Sequence, residues 1–394
     1  MNKLIFTTLR GRRCFALASE KRVLQIEFEG DEAAEQIGTI YVGKVRNVVK
    51  NLNAAFIEYE PGVNGYYSLN DNPIHTFADG KQESRALKSG DEIVVQVSRA
   101  AVKTKDAVLS GELTLTGRYV AVIASGSAAK TLGISAKIRD KKWREQFKAK
   151  WDAEETPNCS VIIRTNAYTA EFNQVLEEAR TLSARLEKLC KDAAFRTPHS
   201  VLYRPDSFAM AAVRDMNLTD TTEVVTDIPD IYEELKSSST DETTTLLRLY
   251  EDSYPLAALY HLEASLDRAL SKNVWLKSGG YLVIEPTEAM TVIDVNTGKN
   301  IEKKSSEETY FKTNLEAAAE IAAQIRLRNL SGIIIVDFID MTDKTHNAEL
   351  LSTFRKYLST DPVKTTLVDM TALGLVEVTR KKIKRPLHEQ TRFK

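Results

Sequence analysis

The chain has 394 residues, room for two to four domains of ordinary size, and its 43% hydrophobic and 28% charged residues are an ordinary globular mixture. No apolar run approaches the roughly 20 residues that span a bilayer, and the N-terminal Met1-Asn-Lys-Leu-Ile-Phe lacks a secretory signal's basic segment and long apolar core, so no membrane segment is expected. A net charge of −1 excludes a global basic field, so any nucleic-acid binding must come from local patches. Cys14, Cys159 and Cys190 are odd in number and far apart, which fits reduced thiols in a cytoplasmic protein better than a disulfide framework.

In chain order, Leu4–Thr7, Cys14–Ala18 and Val23–Phe28 alternate as strands, and three short strands need a partner from later in the chain. Residues 37–111 carry five short strands separated by turn signals: Thr39–Val49, Ala54–Tyr59, Gly65–Leu69, Glu92–Ser98 and Ala107–Ser110. They fit a Greek-key OB-type barrel. Phe56, Tyr66 and Tyr67 are candidates for stacking on bases, and Lys44, Arg46 and Lys105 for meeting phosphates; the plain alternative is that the aromatics fill the barrel core. Tyr119–Ile123 and Ser160–Thr165 read as strands, and Val175, Ala179, Leu182, Leu186 and Leu189 as one face of a helix. Arg164 and Thr165 end the second strand, where a guanidinium fork can clamp a phosphate, though an exposed strand end is the simpler reading.

Residues 200–273 read as an α/β layer with strands at Val201 and Glu223, helices around Ile228–Leu235 and Leu262–Leu270, and a polar Ser237–Asp241 loop; this is where the first strands find a partner. A hairpin follows, Tyr281–Glu285 and Met290–Asn296, then a helix from Ser306 to Asn329, the apolar strand Ile333–Asp337 and a helix carrying Leu350, Leu351, Phe354 and Leu358. Strands Lys364–Asp369 and Gly374–Thr379 close the chain. The basic run Arg380–Arg385 has the composition of a solvated tail more often than of a binding site.

Two apolar strands each deliver a carboxylate near the C-terminal end, Asp294 and Asp337, and alternation puts Asn296 on the face of Asp294. A carboxylate in such a strand needs compensation, either a salt bridge or a hard cation such as Mg²⁺, which takes one or two carboxylates and keeps several waters. Asp340 is a third candidate or a turn cap. The five histidines lack zinc spacing, and the chain has no Walker loop, dinucleotide fingerprint or supported Ser-His-Asp triad.

The stretch Ser278–Asn296 resembles the catalytic hairpin of the bacterial ribonuclease E/G family. Thr313-Asn-Leu-Glu-Ala-Ala, Arg326-Leu-Arg-Asn-Leu, Gly332–Met341 and Gly374–Arg380 are similar to the same family in the same order. The resemblance implies an α/β and α+β multidomain chain. Residues 1–36 and 200–273 would form a ribonuclease-H-like scaffold without its own active site, and 37–111 an inserted OB-type RNA-binding barrel. Residues 112–199 would be a 5′-end sensor and 274–394 a deoxyribonuclease-I-like catalytic domain. It implies Asp294 and Asp337 as Mg²⁺ ligands and Asn296 as support for the metal water or scissile phosphate. It also implies Phe56, Tyr66 and Lys105 as RNA contacts, and Arg164 and Thr165 as the pair holding a 5′-monophosphate. Lys364 stands where that sensor usually has Arg, which reduces a bidentate contact to a point charge. Longer members of the family continue into a Cys-Pro-x-Cys zinc link; no Cys lies beyond 190 here, so no zinc-linked dimer is expected.

The expected function is therefore a Mg²⁺-dependent endoribonuclease acting on single-stranded RNA, not DNA, in RNA processing or turnover. It would leave 5′-phosphate and 3′-hydroxyl ends and favour 5′-monophosphorylated substrates. The alternatives are a non-catalytic RNA-binding or ribosome-maturation factor, and a metal phosphatase that would leave the barrel idle.

Overall fold

The computed structural model describes residues 2–30, 36–79, 81–101, 106–124, 131–216, 221–238, 246–298 and 306–391. The chain divides into two compact units, one formed by residues 1–29 and 220–394 and the other by residues 30–219. The described chain mixes α and β structure throughout, as expected.

The first unit holds two sheets. In the smaller, Asn2–Leu9, Arg12–Ser19 and Val23–Phe28 form an antiparallel meander. Its first turn is the two-residue Arg10-Gly11, with φ of 52° and 75°, the left-handed pair that matches the twist of a tight hairpin. Asn2–Leu9 takes its other neighbour from far along the chain, pairing parallel with Thr221–Thr226, Ile5 opposite Val225. Leu247–Leu249 extends that edge. The early strands thus find the partner the sequence demanded. Of the polar Ser237–Asp241 run, Ser237 and Ser238 end the helix Pro229–Ser238, and the rest lies outside the described residues.

The larger sheet has six strands in the order Asn273–Trp275, Tyr281–Pro286, Met290–Asn296, Gly332–Asp337, Val376–Arg380 and Thr365–Met370. The central pair, Met290–Asn296 with Gly332–Asp337, is parallel. A parallel pair needs a long crossover, and the helix Ser306–Leu327 lies within it. Strict alternation sorts the side chains. Leu282, Ile284, Ile293, Val295, Ile334, Val336, Val376 and Val378 are buried against Ala317, Ala318, Ile321 and Ile325 of that helix and Leu350, Phe354 and Leu358 of Lys344–Leu358. Each fully buried Ile or Leu contributes about 1.5–3 kcal/mol, so this face holds the sheet in register. The other face carries Trp275, Tyr281, Val283, Val292, Asp294, Asn296, Ile335 and Asp337, half-buried or exposed. At the far edge Arg380 and Asp361, both nearly inaccessible, form a two-pronged ion pair (2.7 and 3.3 Å) that also engages Asn329 and the Leu330 carbonyl.

In the second unit, Ile40–Val49, Ala54–Glu60, Val63–Ser68, Ala107–Ser110 and Glu92–Arg99 pair in that circular order, and the last pairs back to the first, closing a five-stranded barrel. Tyr41, Ile57, Tyr67, Ile93, Val95 and Leu109 fill it. Gly65 has to be glycine: a Cβ there would meet the Leu109 side chain at 2.6 Å. A four-stranded sheet follows, in the order Leu113–Thr116, Val120–Ala124, Ser160–Ile163 and Leu132–Ile134, with the helix Phe172–Asp192 packed on it. The helix Lys141–Asp152 buries Phe147 and Trp151. The strand Val201–Tyr203, read from sequence as part of the α/β layer, instead pairs antiparallel with the start of Ile40–Val49. Three residues are too few to show which sheet they join.

Candidate active site

The parallel register places Asp294 directly opposite Asp337, one strand spacing apart at the C-terminal ends of their strands. Asn296, two residues on and on the same face, donates from Nδ2 to Asp294 Oδ2 at 2.7 Å. Burial and the neighbouring Asp294 and Asp340 carboxylates raise the pKa of Asp337 above the ordinary carboxylate range. Among the described residues no Lys, Arg or His forms an ion pair with Asp294, Asp337 or Asp340. The salt-bridge answer to the two carboxylates therefore finds no partner there. The donor set, two carboxylates and a carboxamide with unneutralised charge, suits a hard divalent cation. Among the described residues no three His, Cys, Asp or Glu side chains gather into a metal cage. A pair of carboxylates with open positions is the pattern that Mg²⁺ takes, since it keeps several waters.

One helix holds the loops around this pair. Asn314, wholly buried, donates from Nδ2 to the Ile339 carbonyl (2.8 Å) and accepts the Ile339 N–H at Oδ1 (3.1 Å), fixing the backbone between Asp337 and Asp340. Glu307 accepts the N–H groups of Thr342 and Asp343, both at 3.1 Å, and the Thr342 hydroxyl, and these bonds hold its carboxyl down at about 2. Phe311 stacks on His346 with ring centres 4.3 Å apart. Glu316 receives the N–H groups of Lys277 and Ser278 at 2.7 and 3.2 Å. Gly279, Gly280 and Gly298 bring the hairpin mouth together: a Cβ at Gly280 would lie 2.7 Å from the Asn296 carbonyl, and Gly298 (φ +64°) faces the Gly279 carbonyl.

On the barrel, Phe56 lies opposite Tyr66 in register, and the half-buried rings meet edge to face with centres 6.2 Å apart. A cavity of about 450 Å³ opens beside Phe56, lined also by Arg46, Asn47 and Asn64. Tyr67 does not share that surface. It is 0% exposed, and its hydroxyl meets His75 Nδ1 at 2.9 Å inside the barrel, so as a base-stacking candidate it is corrected to core. Arg46 is occupied by Glu58, which His199 also reaches at 3.0 Å. Lys44 is half-buried on the same strand as Arg46, and Lys105 lies outside the described residues.

Comparison with known proteins decides the kinship. The profile of the Ribonuclease E/G family matches residues 114–383. The chain is 33% identical over 362 residues to "Ribonuclease E" of Nostoc sp., covering 90% of this chain and 52% of that protein. It is 32% identical over 375 residues to "Ribonuclease G" of Escherichia coli K12, covering 92% and 76%. With "Ribonuclease G" of Haemophilus influenzae it shares 32% over 388 residues, covering 94% and 78%. The chain belongs to the Ribonuclease E/G family. It spans about half the length of the cyanobacterial relatives it matches.

Within this Ribonuclease E/G chain, the sequence pattern pointed to Arg164 and Thr165. Arg164 Nη2 pairs with Asp215 at 2.9 Å while Nη1 donates to the Gly117 carbonyl, so its guanidinium is held at the sheet edge. Burial alone would raise the pKa of Asp215, but the charges of Arg164 and Arg214 hold it below its ordinary value. The Thr165 hydroxyl meets Ser135 at 3.3 Å. A cavity of about 330 Å³ adjoins it, lined by Lys137, Arg139, Asp140 and Tyr168 among others. Lys364 belongs to the other unit, just ahead of Thr365–Met370, where its carbonyl accepts the Lys381 N–H. Sequence reasoning missed Asn314, Glu307 and Glu316. Their partners are mostly backbone groups, which leave no residue signature; the hints were the family-like Thr313-Asn-Leu-Glu-Ala-Ala stretch, which holds Asn314 and Glu316, and the polarity of Asn314 on a face turned to the core.

Proposed function

We propose that this chain is a Mg²⁺-dependent endoribonuclease that cleaves single-stranded RNA in RNA processing or turnover. The observation that carries the reading is the in-register Asp294/Asp337 pair, with Asn296 bonded to Asp294 and no cationic side chain to neutralise it among the described residues. Asp294 and Asp337 would hold the cation. Bound there, Mg²⁺ supplies charge neutralisation at the phosphate and a water of lowered pKa. Asn296, oriented by its bond to Asp294, keeps its second Nδ2 hydrogen for a phosphate oxygen. Asn314 and Glu307 fix the Asp337–Asp343 loop so that the two carboxylates stay at their spacing. A water attacking phosphorus in line with the 3′ oxygen leaves a 5′-phosphate and a 3′-hydroxyl.

The barrel supplies the polymer substrate: Phe56 and Tyr66 offer stacking surface beside an open cavity, and Lys105 is assigned a phosphate contact by kinship alone. The mixed five-stranded sheet built by the strands within 2–28 with Thr221–Thr226 and Leu247–Leu249 supports a ribonuclease-H-like scaffold. The two-layer assembly from residue 273 on supports a deoxyribonuclease-I-like catalytic domain. Thr165, which lines the cavity with Lys137 and Arg139, and its neighbour Arg164 are the proposed 5′-monophosphate clamp.

The test is cleavage of a labelled single-stranded RNA with and without Mg²⁺. Asp294→Asn and Asp337→Asn abolish cutting and leave RNA binding largely intact; if both still cut, the assignment is wrong. A protein that binds the RNA in Mg²⁺ and never cuts it is instead a non-catalytic RNA-binding factor.

A further inference from the structure

The open face of the six-stranded sheet carries an aromatic pair beside the carboxylates. Tyr281 lies opposite Asn296 across the hairpin, and Trp275 lies opposite Tyr281 on the next strand. Directly opposed residues share a face, so Trp275, Tyr281 and Asn296 form one row across the sheet. The neighbouring row runs from Val283 through Asp294 to Asp337. The indole and phenol rings touch with centres 5.2 Å apart at a tilt of 51°. Tyr281 thus buttresses one side of Trp275, which still leaves 71% of that residue exposed. Two strand spacings put the Trp275 backbone about 10 Å from that of Asn296, within reach of a nucleotide next to the one whose phosphate the carboxylates engage.

We propose that Trp275, braced by Tyr281, is a stacking platform for a nucleobase flanking the scissile phosphate. The inference rests on the nuclease reading above and adds a subsite to it. An aromatic face with a cation alongside is the chemistry that recognises a nucleotide. Lys277, exposed and two residues beyond Trp275, has no ion pair among the described residues, and its backbone is fixed by Glu316. On its own strand the exposed indole is flanked by the exposed Asn273 and by the Lys272–Glu285 ion pair, polar and charged neighbours that suit a solvated nucleotide. Stacking is blind to hydrogen-bonding edges, so the platform selects for an unpaired base and not for a particular one.

The experiment scans a single abasic position along a short single-stranded RNA through the sites flanking the cut. In the parent, one position raises KM by about 5- to 100-fold, the range of a single base–aromatic stack. Trp275→Ala raises KM on the intact RNA by a similar factor and erases the penalty at that position alone. Trp275→Phe restores most of it, and Trp275→Leu, apolar without a π face, does not. If the abasic profile of Trp275→Ala matches that of the parent, the platform is wrong while the nuclease stands. Indole fluorescence separates the two readings: in Asp337→Asn, the same RNA quenches emission that Trp275→Ala removes. Quenching together with a parent protein that never cuts would sink the nuclease reading and keep the stack, and no quenching at saturating RNA would overturn the stack.

Discussion

Asn314 is the residue whose removal reads the coupling between the helix and the carboxylates most directly. Its side chain is fully buried and makes two hydrogen bonds, both to the backbone of Ile339. Asn314→Ala deletes both and leaves a partly buried N–H and C=O without partners. Two bonds at about 1 kcal/mol each, plus part of the desolvation left behind, come to about 2–4 kcal/mol. Asn314→Asp is isosteric and keeps the acceptor for the Ile339 N–H. It turns a carboxylate oxygen toward the Ile339 carbonyl, however, and so is at least as damaging. Denaturant unfolding at fixed pH measures the stability, and calorimetric titration with Mg²⁺ measures whether the Asp294/Asp337 pair still binds as before. The expected pattern is a lower midpoint with an unchanged slope, together with a weakened Mg²⁺ response, because Ile339 sits between Asp337 and Asp340. An Asn314→Ala protein within about 0.5 kcal/mol of the parent and with unaltered Mg²⁺ binding would refute the claim that this clamp positions the site.

Further outcomes follow from other contacts. Asp361→Ala strands the buried Arg380 guanidinium and costs about 3–5 kcal/mol in an unfolding titration, far more than loss of a surface pair such as Lys312–Glu308. Glu307 has a folded pKa of about 2 against 4.5 unfolded, so its contribution is complete above about pH 4.5 and is lost as pH falls toward 2. Glu307→Gln should therefore flatten the acid limb of the stability profile between those values, which thermal melts at stepped pH will read. Tyr67→Phe removes the hydroxyl bound to His75 and costs about 1 kcal/mol with RNA affinity unchanged. Phe56→Ala, in contrast, weakens RNA affinity in a filter-binding assay by the roughly 5- to 100-fold of one stack. Arg164→Ala should shrink any preference for 5′-monophosphorylated over 5′-hydroxylated RNA; an unchanged ratio would leave the Arg164–Asp215 pair a purely structural bond.

What the sequence reveals and what it hides divide along a physical line. Alternation is a property of single residues, so the strands ending at Asp294 and Asp337 and the shared face of Asn296 can be read directly. The same rule already separates Tyr66 from Tyr67: neighbours on a strand face opposite ways, so only one of them can join Phe56, and the barrel puts Tyr66 there. Register between distant segments is not a property of single residues. That Asp294 lies opposite Asp337, that Val201–Tyr203 joins the barrel, and that Arg164 is tied to Asp215 all depend on which segments meet.

The helix Ser306–Leu327 shows why the parts of the site that carry no motif matter. Glu307, Phe311 and Asn314 fall at i, i+4 and i+7, one face of two turns, and that face grips Thr342–Asp343, His346 and Ile339. Read as a pattern, the three are an acid, an aromatic and an amide with nothing in common. Read as structure, they are three anchors on one rigid element, spaced along the loop that leaves the Asp337 strand and the first turn of the helix Lys344–Leu358 that follows it. Ala317, Ala318, Ile321 and Ile325 lock the same helix to the buried sheet face. A carboxylate pair resisting its own repulsion needs such a frame, because two Asp side chains left on mobile loops would move apart or take up a proton. The core therefore reaches the chemistry through backbone hydrogen bonds, and a core substitution such as Ile321→Ala should weaken Mg²⁺ binding as well as stability, although Ile321 touches neither carboxylate.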